Sequence, residues 1–182
     1  MSTVSLRAAS SADASAIAAI YAPYVTRTAV SFEEIPPTSE AMANRMAASP
    51  QLPWWVAVDG GTIVGYAYAT PHRRRAAYRW SVEVSVYLAS SRRGRGLGTA
   101  LYRGLLPEVR GRGYVSAYAG ITLPNAPSVG LHENVGFAPV GVFPSVGFKL
   151  GRWHDVGWWH LPLVDPPVVP VDPRPQRSPA VG

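Results

Sequence analysis

The sequence predicts a mixed α/β fold, a sheet flanked by helices. Three observations carry this. Helical spacing recurs in four separate stretches, "WWVAVDGGTIVGYAYAT" has the make-up of a tight hairpin, and "YRWSVEVSVYLAS" alternates apolar and polar residues with period two. With 182 residues, 47% of them apolar and six of them Trp, the chain can build the core of one domain, expected over residues 1–164.

Residues 3–8 read as a short first strand. "SSADASAIAAIYAPYV" follows as a helix, with Ser10 or Ser11 as cap and Ile17, Ile20, Tyr21 and Tyr24 at helical spacing; it is expected to end near Pro23. "PPTSEAMANRMAAS" is a second helix, capped by Thr38 or Ser39, with Met42 and Met46 one turn apart and Pro50 and Pro53 beyond it. Asp59-Gly60-Gly61 supplies residues that reach positive φ between two β-rich runs. In the alternating strand Val82, Val84, Val86 and Leu88 share one face, and Ser81, Glu83, Ser85 and Tyr87 share the other. "LGTALYRGLLPEVRGRGY" is a helix with Leu97, Leu101 and Leu105 inward, its last turns expected to be distorted by Pro107. A strand in "YVSAYAGI", a helix in "NAPSVGLHENVGF" stopped by Gly136, and two strands around Gly151 complete the order β α α β β β α β α β β. From Asp165 there are six prolines in eighteen residues, which predicts a disordered or extended tail over 165–182.

The chain has no cysteine, which excludes disulfides, thiolate metal sites and a cysteine acyl-enzyme. Zinc would depend on four scattered histidines, and no metal is expected. There is no basic segment leading into an apolar run and no stretch of 18 apolar residues, so we expect a cytoplasmic protein without membrane contact. The net charge of +6 comes from sixteen arginines and a single lysine, Lys149. The arginines gather in "HRRRAAYRW" and "RRGR", which suits two local anion sites better than a stripe that tracks a nucleic-acid duplex.

"SSRRGRGLGTALYRGL" sets Arg92, Arg93 and Arg95 among Gly94, Gly96 and Gly98, directly ahead of a helix. A helix N-terminus offers unpaired N–H groups and partial positive charge, and glycine lets a phosphate approach the backbone. No Lys-Ser or Lys-Thr follows Gly98, and Thr99 stands where a dinucleotide fingerprint needs glycine. The spacing Arg93-x-x-Gly96-x-Gly98 after an alternating strand resembles the pyrophosphate loop of the GNAT superfamily of N-acetyltransferases, and the element order is similar to that fold. "AYRWSVEVSVYL", "GLGTALY", "LPNAPSVGLHENVGF" and "GRWHDVGWW", in that order over about residues 4 to 163, resemble the phosphinothricin N-acetyltransferase branch.

The resemblance implies acetyl-CoA as cosubstrate. Val86, Tyr87 and Leu88 would offer strand-edge groups to its pantetheine arm, Arg93, Gly94, Arg95, Gly96, Leu97, Gly98 and Thr99 would cradle the pyrophosphate, and Asn125 and Ser128 would bind further along, although Asn125 can equally be a helix cap. Glu83 matches the catalytic base that frees the acceptor amine of its proton; the alternative is a carboxylate merely paired with Arg79 or another arginine. His132 stands where the wider superfamily often carries a tyrosine, which implies a supporting acid or base role beside a purely structural one. Ser128 and His132, four apart, lack an acid to make a nucleophilic triad. Phe32, Arg73, Arg75 and Tyr78 match positions that bind an acidic acceptor, while His72 and Arg79 depart from the usual pattern. The implied acceptors are L-phosphinothricin, methionine sulfoximine or methionine sulfone, and their acetylation implies detoxification. Another small amine or a protein N-terminus is the rival acceptor, and a basic nucleic-acid-binding module the rival class. His154-Asp155 reads as structural, and Trp153, Trp158 and Trp159 as core or as the interface of a homodimer.

Overall fold

In the computed structural model, which describes residues 4–174, the chain forms one seven-stranded sheet. Gly60 and Gly61 take φ of 55° and 81°, the turn that folds β2 (Trp54–Asp59) back onto β3 (Thr62–Pro71). β1 (Ser5–Ala8) pairs with the outer edge of β2, and β4 (Ser81–Leu88) with β3, all antiparallel. β5 (Ser116–Leu123) is parallel to β4. β7 (Arg152–Pro162) lies between β5 and β6 (Ala138–Lys149), joined to β6 by a two-residue turn with positive φ at Leu150 and Gly151.

α1 (Ala14–Arg27) and α2 (Ser39–Ala47) cover one face, where Ile17, Tyr21, Val25 and Met42 pack on Trp54, Val56 and Tyr66. α3 (Leu97–Gly111) and α4 (Ala126–Val135) cover the other, where Leu101, Leu105 and Val109 pack on Val82, Val84, Ala117 and Ile121. Thr38 caps α2 by accepting the Ala41 N–H at 3.1 Å. α1 does not end near Pro23 but continues one turn to Arg27. Proline removes one N–H from the ladder, and the turn beyond it is held by tertiary contacts instead: Val25 is 1% exposed and its carbonyl oxygen is bonded by Lys149. α3 also runs unbroken through Pro107, with Leu105, Leu106 and Val109 buried on either side of it.

β4 and β5 are paired only at Ser81–Ser116, Val82–Ala117 and Glu83–Tyr118. Beyond Glu83 they part, which leaves a fork in the middle of the sheet. β6 is an edge strand whose surface carries exposed Val140, Phe143, Phe148 and, beside it on β7, Trp153. Of the expected tail, residues 165–174 are described and hold neither helix nor strand. Trp80 Nε1–H donates to the Val171 carbonyl at 2.9 Å, Arg79 pairs with Asp172 at 3.0 Å, and the Arg174 N–H reaches the Arg112 carbonyl at 2.8 Å. Residues 175–182 and 1–3 lie outside the described part. Among the described residues no helix is long and apolar enough to cross a membrane.

Candidate active site

Glu83 is the last residue of β4 paired with β5, so its carboxylate stands at the vertex of the fork. Directly paired residues share a face of a sheet, which puts Tyr118 and then His160 beside it on the α1–α2 side. His72 stacks on Tyr118 with centroids 4.6 Å apart. Its Nδ1–H donates to Glu83 Oε1 at 3.0 Å, and Arg73 Nη1 donates to the same oxygen at 2.8 Å. Glu83 Oε2 receives no hydrogen bond from the described residues, and the side chain is 30% exposed. Arg79, the first partner considered for Glu83, is engaged with Asp172.

Past the vertex the strands enclose a cleft. Val84, Val86 and Tyr87 line one wall, Gly120 and Thr122 the other; Asn125, Ser128 and His132 close it on the α4 side, and Val30 overhangs it. From Glu83 to Leu88, β4 offers about 16 Å of edge that β5 does not cover. Leu88 differs from its neighbours, because the Tyr24 hydroxyl donates to its carbonyl at 2.7 Å and accepts its N–H at 3.2 Å.

The strand leads into the glycine-arginine loop. Gly94 and Gly96 take φ of 72° and 73°, yet nothing lies within 4 Å of where their Cβ atoms would be. Backbone conformation, not space, requires glycine there. Gly96 opens α3 and its carbonyl accepts the Ala100 N–H, so the N–H groups of Leu97, Gly98 and Thr99 stand ahead of the first helical bond. Gly98 meets a packing demand as well: a Cβ would come within 2.5 Å of the Leu131 side chain. Arg93 and Arg95 are exposed beside the loop, Arg93 with its guanidinium 4.9 Å from the Tyr24 ring, and Arg92 anchors the loop to buried Asp59 at 2.6 Å. Open N–H groups, arginines and no carboxylate within the loop suit a pyrophosphate. A bare strand edge suits an amide-bearing arm.

His132 is 4% exposed, and both ring nitrogens are satisfied: Nδ1–H donates to the Ser128 carbonyl at 2.7 Å and Nε2 accepts from the Tyr102 hydroxyl at 2.9 Å. Burial pushes its pKa down and keeps it neutral. The Ser128 hydroxyl is 3.5 Å from a nitrogen whose hydrogen is already held, so the pair forms no nucleophilic dyad. Asn125 caps α4 by accepting the Ser128 N–H at 3.3 Å.

Of the acceptor-side residues, Arg73 is drawn to Glu83 and lies over the Trp158 ring at 5.4 Å, and Tyr78 meets His72 edge-on at 5.8 Å. Phe32 sits against Gly147, while Arg75 lines a separate cleft with Arg74, Arg79 and Asp172. His154 donates from Nε2 to the Lys149 carbonyl at 3.0 Å and Asp155 accepts the Ser145 N–H at 2.7 Å, both structural contacts. The aromatic trio divides: Trp159 is core, Trp158 half-buried and Trp153 exposed. Sequence reasoning passed over His72, Tyr24 and Tyr102 as partners of the site. For His72 the signal was its departure from the family pattern beside three arginines.

The family model described as Acetyltransferase (GNAT) family matches residues 17–137. The phosphinothricin N-acetyltransferase of Streptomyces viridochromogenes is 38% identical over 175 residues, 96% of this chain and 93% of that protein. An L-methionine sulfoximine/L-methionine sulfone acetyltransferase of Pseudomonas aeruginosa is 38% identical over 167 residues, 88% of this chain and 95% of its own. A putative acetyltransferase from Salmonella typhimurium, solved with acetyl-CoA, superposes with a TM-score of 0.88 at 33% identity over 92% of this chain and 98% of that one. A GNAT superfamily phosphinothricin acetyltransferase from Sinorhizobium meliloti, in complex with acetyl-CoA, gives 0.84 at 37% identity over 88% of each. With a forked sheet, a positive-φ glycine loop at a helix start and these relatives over most of its length, the chain belongs to the acetyltransferase (GNAT) family of acetyl-transferring enzymes.

Proposed function

We propose that this enzyme, through its 1–164 domain, transfers the acetyl group of acetyl-CoA to the free amine of a small acidic amino acid analogue of the L-phosphinothricin or methionine sulfoximine type. The observation that carries it is Glu83 at the vertex of the fork, one oxygen held by His72 and Arg73 and the other without a partner. Acetyl-CoA supplies the activated carbonyl. Gly94 to Thr99, with Arg93 and Arg95, hold the pyrophosphate; the Val86–Tyr87 edge of β4, extended to Leu88 when Tyr24 yields, holds the arm. Asn125 and Ser128 flank the far wall, and His132 supports it in neutral form. Glu83 Oε2 takes the ammonium proton so that the amine attacks as a free base. Arg73 and Arg75, with Tyr78 and Phe32, receive the acceptor's acidic oxygens. Acetylation removes the ammonium charge, which disarms an amino acid analogue as an inhibitor and makes the reaction a cytoplasmic detoxification. Arg73, Arg79 and Arg92 pair with carboxylates of the chain itself, which speaks against a nucleic-acid platform. A second copy of the chain covers the apolar β6 face.

The test is thiol release from acetyl-CoA with L-phosphinothricin, methionine sulfoximine, methionine sulfone, glutamate and spermidine. Fast turnover is expected with the first three, and turnover confined to spermidine would overturn the acceptor assignment. Glu83→Gln should lower kcat by about 10² to 10⁴ with acetyl-CoA affinity kept; near-normal turnover removes Glu83 as the base.

A further inference from the structure

Lys149 is the only lysine in a chain with sixteen arginines, and it is 8% exposed. Its ammonium group donates to three carbonyl oxygens, those of Val25, Ser31 and Glu33, each at 2.6 Å. A buried cation is costly unless its donors are filled, and here three N–H groups meet three acceptors. The arrangement also accounts for the residue type. An ammonium directs its donors around a point, whereas a guanidinium confines them to one plane and cannot serve three carbonyls so placed.

The carbonyls belong to the last turn of α1, where no intrahelical partner exists, and to the segment that follows. That segment, residues 28–34, carries Val30 over the fork cleft and Phe32 against the β6–β7 hairpin. A Cβ on Gly147 would come within 2.2 Å of the Phe32 ring, so this contact is already closed. His154 holds the Lys149 carbonyl from β7 and fixes the base of the clamp. The hairpin therefore grips the overhang of the cleft twice, by an ammonium and by a ring laid on a glycine.

We propose that Lys149 is a positioning residue for the acceptor: it holds segment 28–34 as the roof of the cleft beside Glu83 without touching the substrate. The inference rests on reading that cleft as the acceptor site. Lys149→Met should raise the KM for L-phosphinothricin about tenfold or more while kcat falls less than about threefold and acetyl-CoA affinity holds, because a roof displaced by about 1 Å costs binding geometry rather than chemistry. Lys149→Arg should not restore the KM. Gly147→Ala pushes Phe32 away with Lys149 intact and should give the same split, which decides the matter if Lys149→Met fails to fold.

With one lysine, amine labelling followed by mass spectrometry reads the clamp directly, the N-terminal amine serving as internal reference. Lys149 should label far more slowly than the N-terminus in the native enzyme and faster in Gly147→Ala. Native labelling as fast as the N-terminus, or a lowered Tm in both variants with an unchanged KM, overturns the proposal. If no acceptor is turned over, the acceptor reading falls, and the labelling alone still decides whether Lys149 seals the segment.

Discussion

At the scale of residues, Asp13 shows how one carboxylate joins elements that are remote from the chemistry. It accepts both Arg7 guanidinium N–H groups at 2.7 Å, and the Ser10 backbone N–H at 2.7 Å, tying β1 to the start of α1. Arg7 is the main cause that lowers its pKa to about 2. A carboxyl depressed on folding contributes stability that is complete above its unfolded value of 3.8 and disappears as pH falls through the folded one. Asp13→Asn should therefore cost about 1–2 kcal/mol at pH 7, with the difference from the parent closing toward pH 2 in urea titrations. Glu83, Gly94 and Gly96 were legible in the sequence because their demands are local: strand alternation and a glycine run before a helix. Lys149 stood out as a lone lysine, but its partners are carbonyls 116 to 124 residues away, and since every residue has a carbonyl no pattern marks them. The Tyr24 grip on Leu88 spans 64 residues and is hidden for the same reason.

At the scale of elements, the start of α3 makes the sharpest demand. Gly96 is left-handed at φ 73° with open space around it, so an alanine there meets strain and no collision. Gly96→Ala should lose about 1 kcal/mol of stability and about tenfold in acetyl-CoA affinity by calorimetry, since the N–H groups it aims would turn away. Gly111, at the other end of the same helix and without positive φ, is the control: alanine there should be neutral or slightly stabilising. Helix caps at Thr38 and Gly136 and the turn at Gly60-Gly61 were readable because each is settled within a few residues. The end of α1 was not, because what offsets Pro23 comes from Lys149 and the core. Nor was the irregular β6, whose register shifts at Pro139/Gly141 and Phe143/Gly147 and whose positive φ at Ser145 has no glycine to announce it.

At the scale of the whole molecule, element order was fully readable, while sheet order was not. That β7 inserts between β5 and β6 depends on which edges meet, and apolar alternation is silent on partners. The same limit hid the fork. The outer β6 face, with Val140 63%, Phe148 58% and Trp153 63% exposed, is large for a lone chain. The parent should sediment as a dimer, and Phe148→Asp with Trp153→Asp as a monomer; a monomeric parent would end the homodimer reading. The fork has one more consequence. An unpaired strand edge is a standing invitation to aggregation, and proteins usually blunt it at the rim with charge, proline or a bulge. Here a bare edge lies at the centre of the sheet, with β5 and α4 across a narrow slot and α1 above. A thin amide chain can slide in and pair, whereas a neighbouring protein's strand, with side chains on both faces, is kept out by the enzyme's own body.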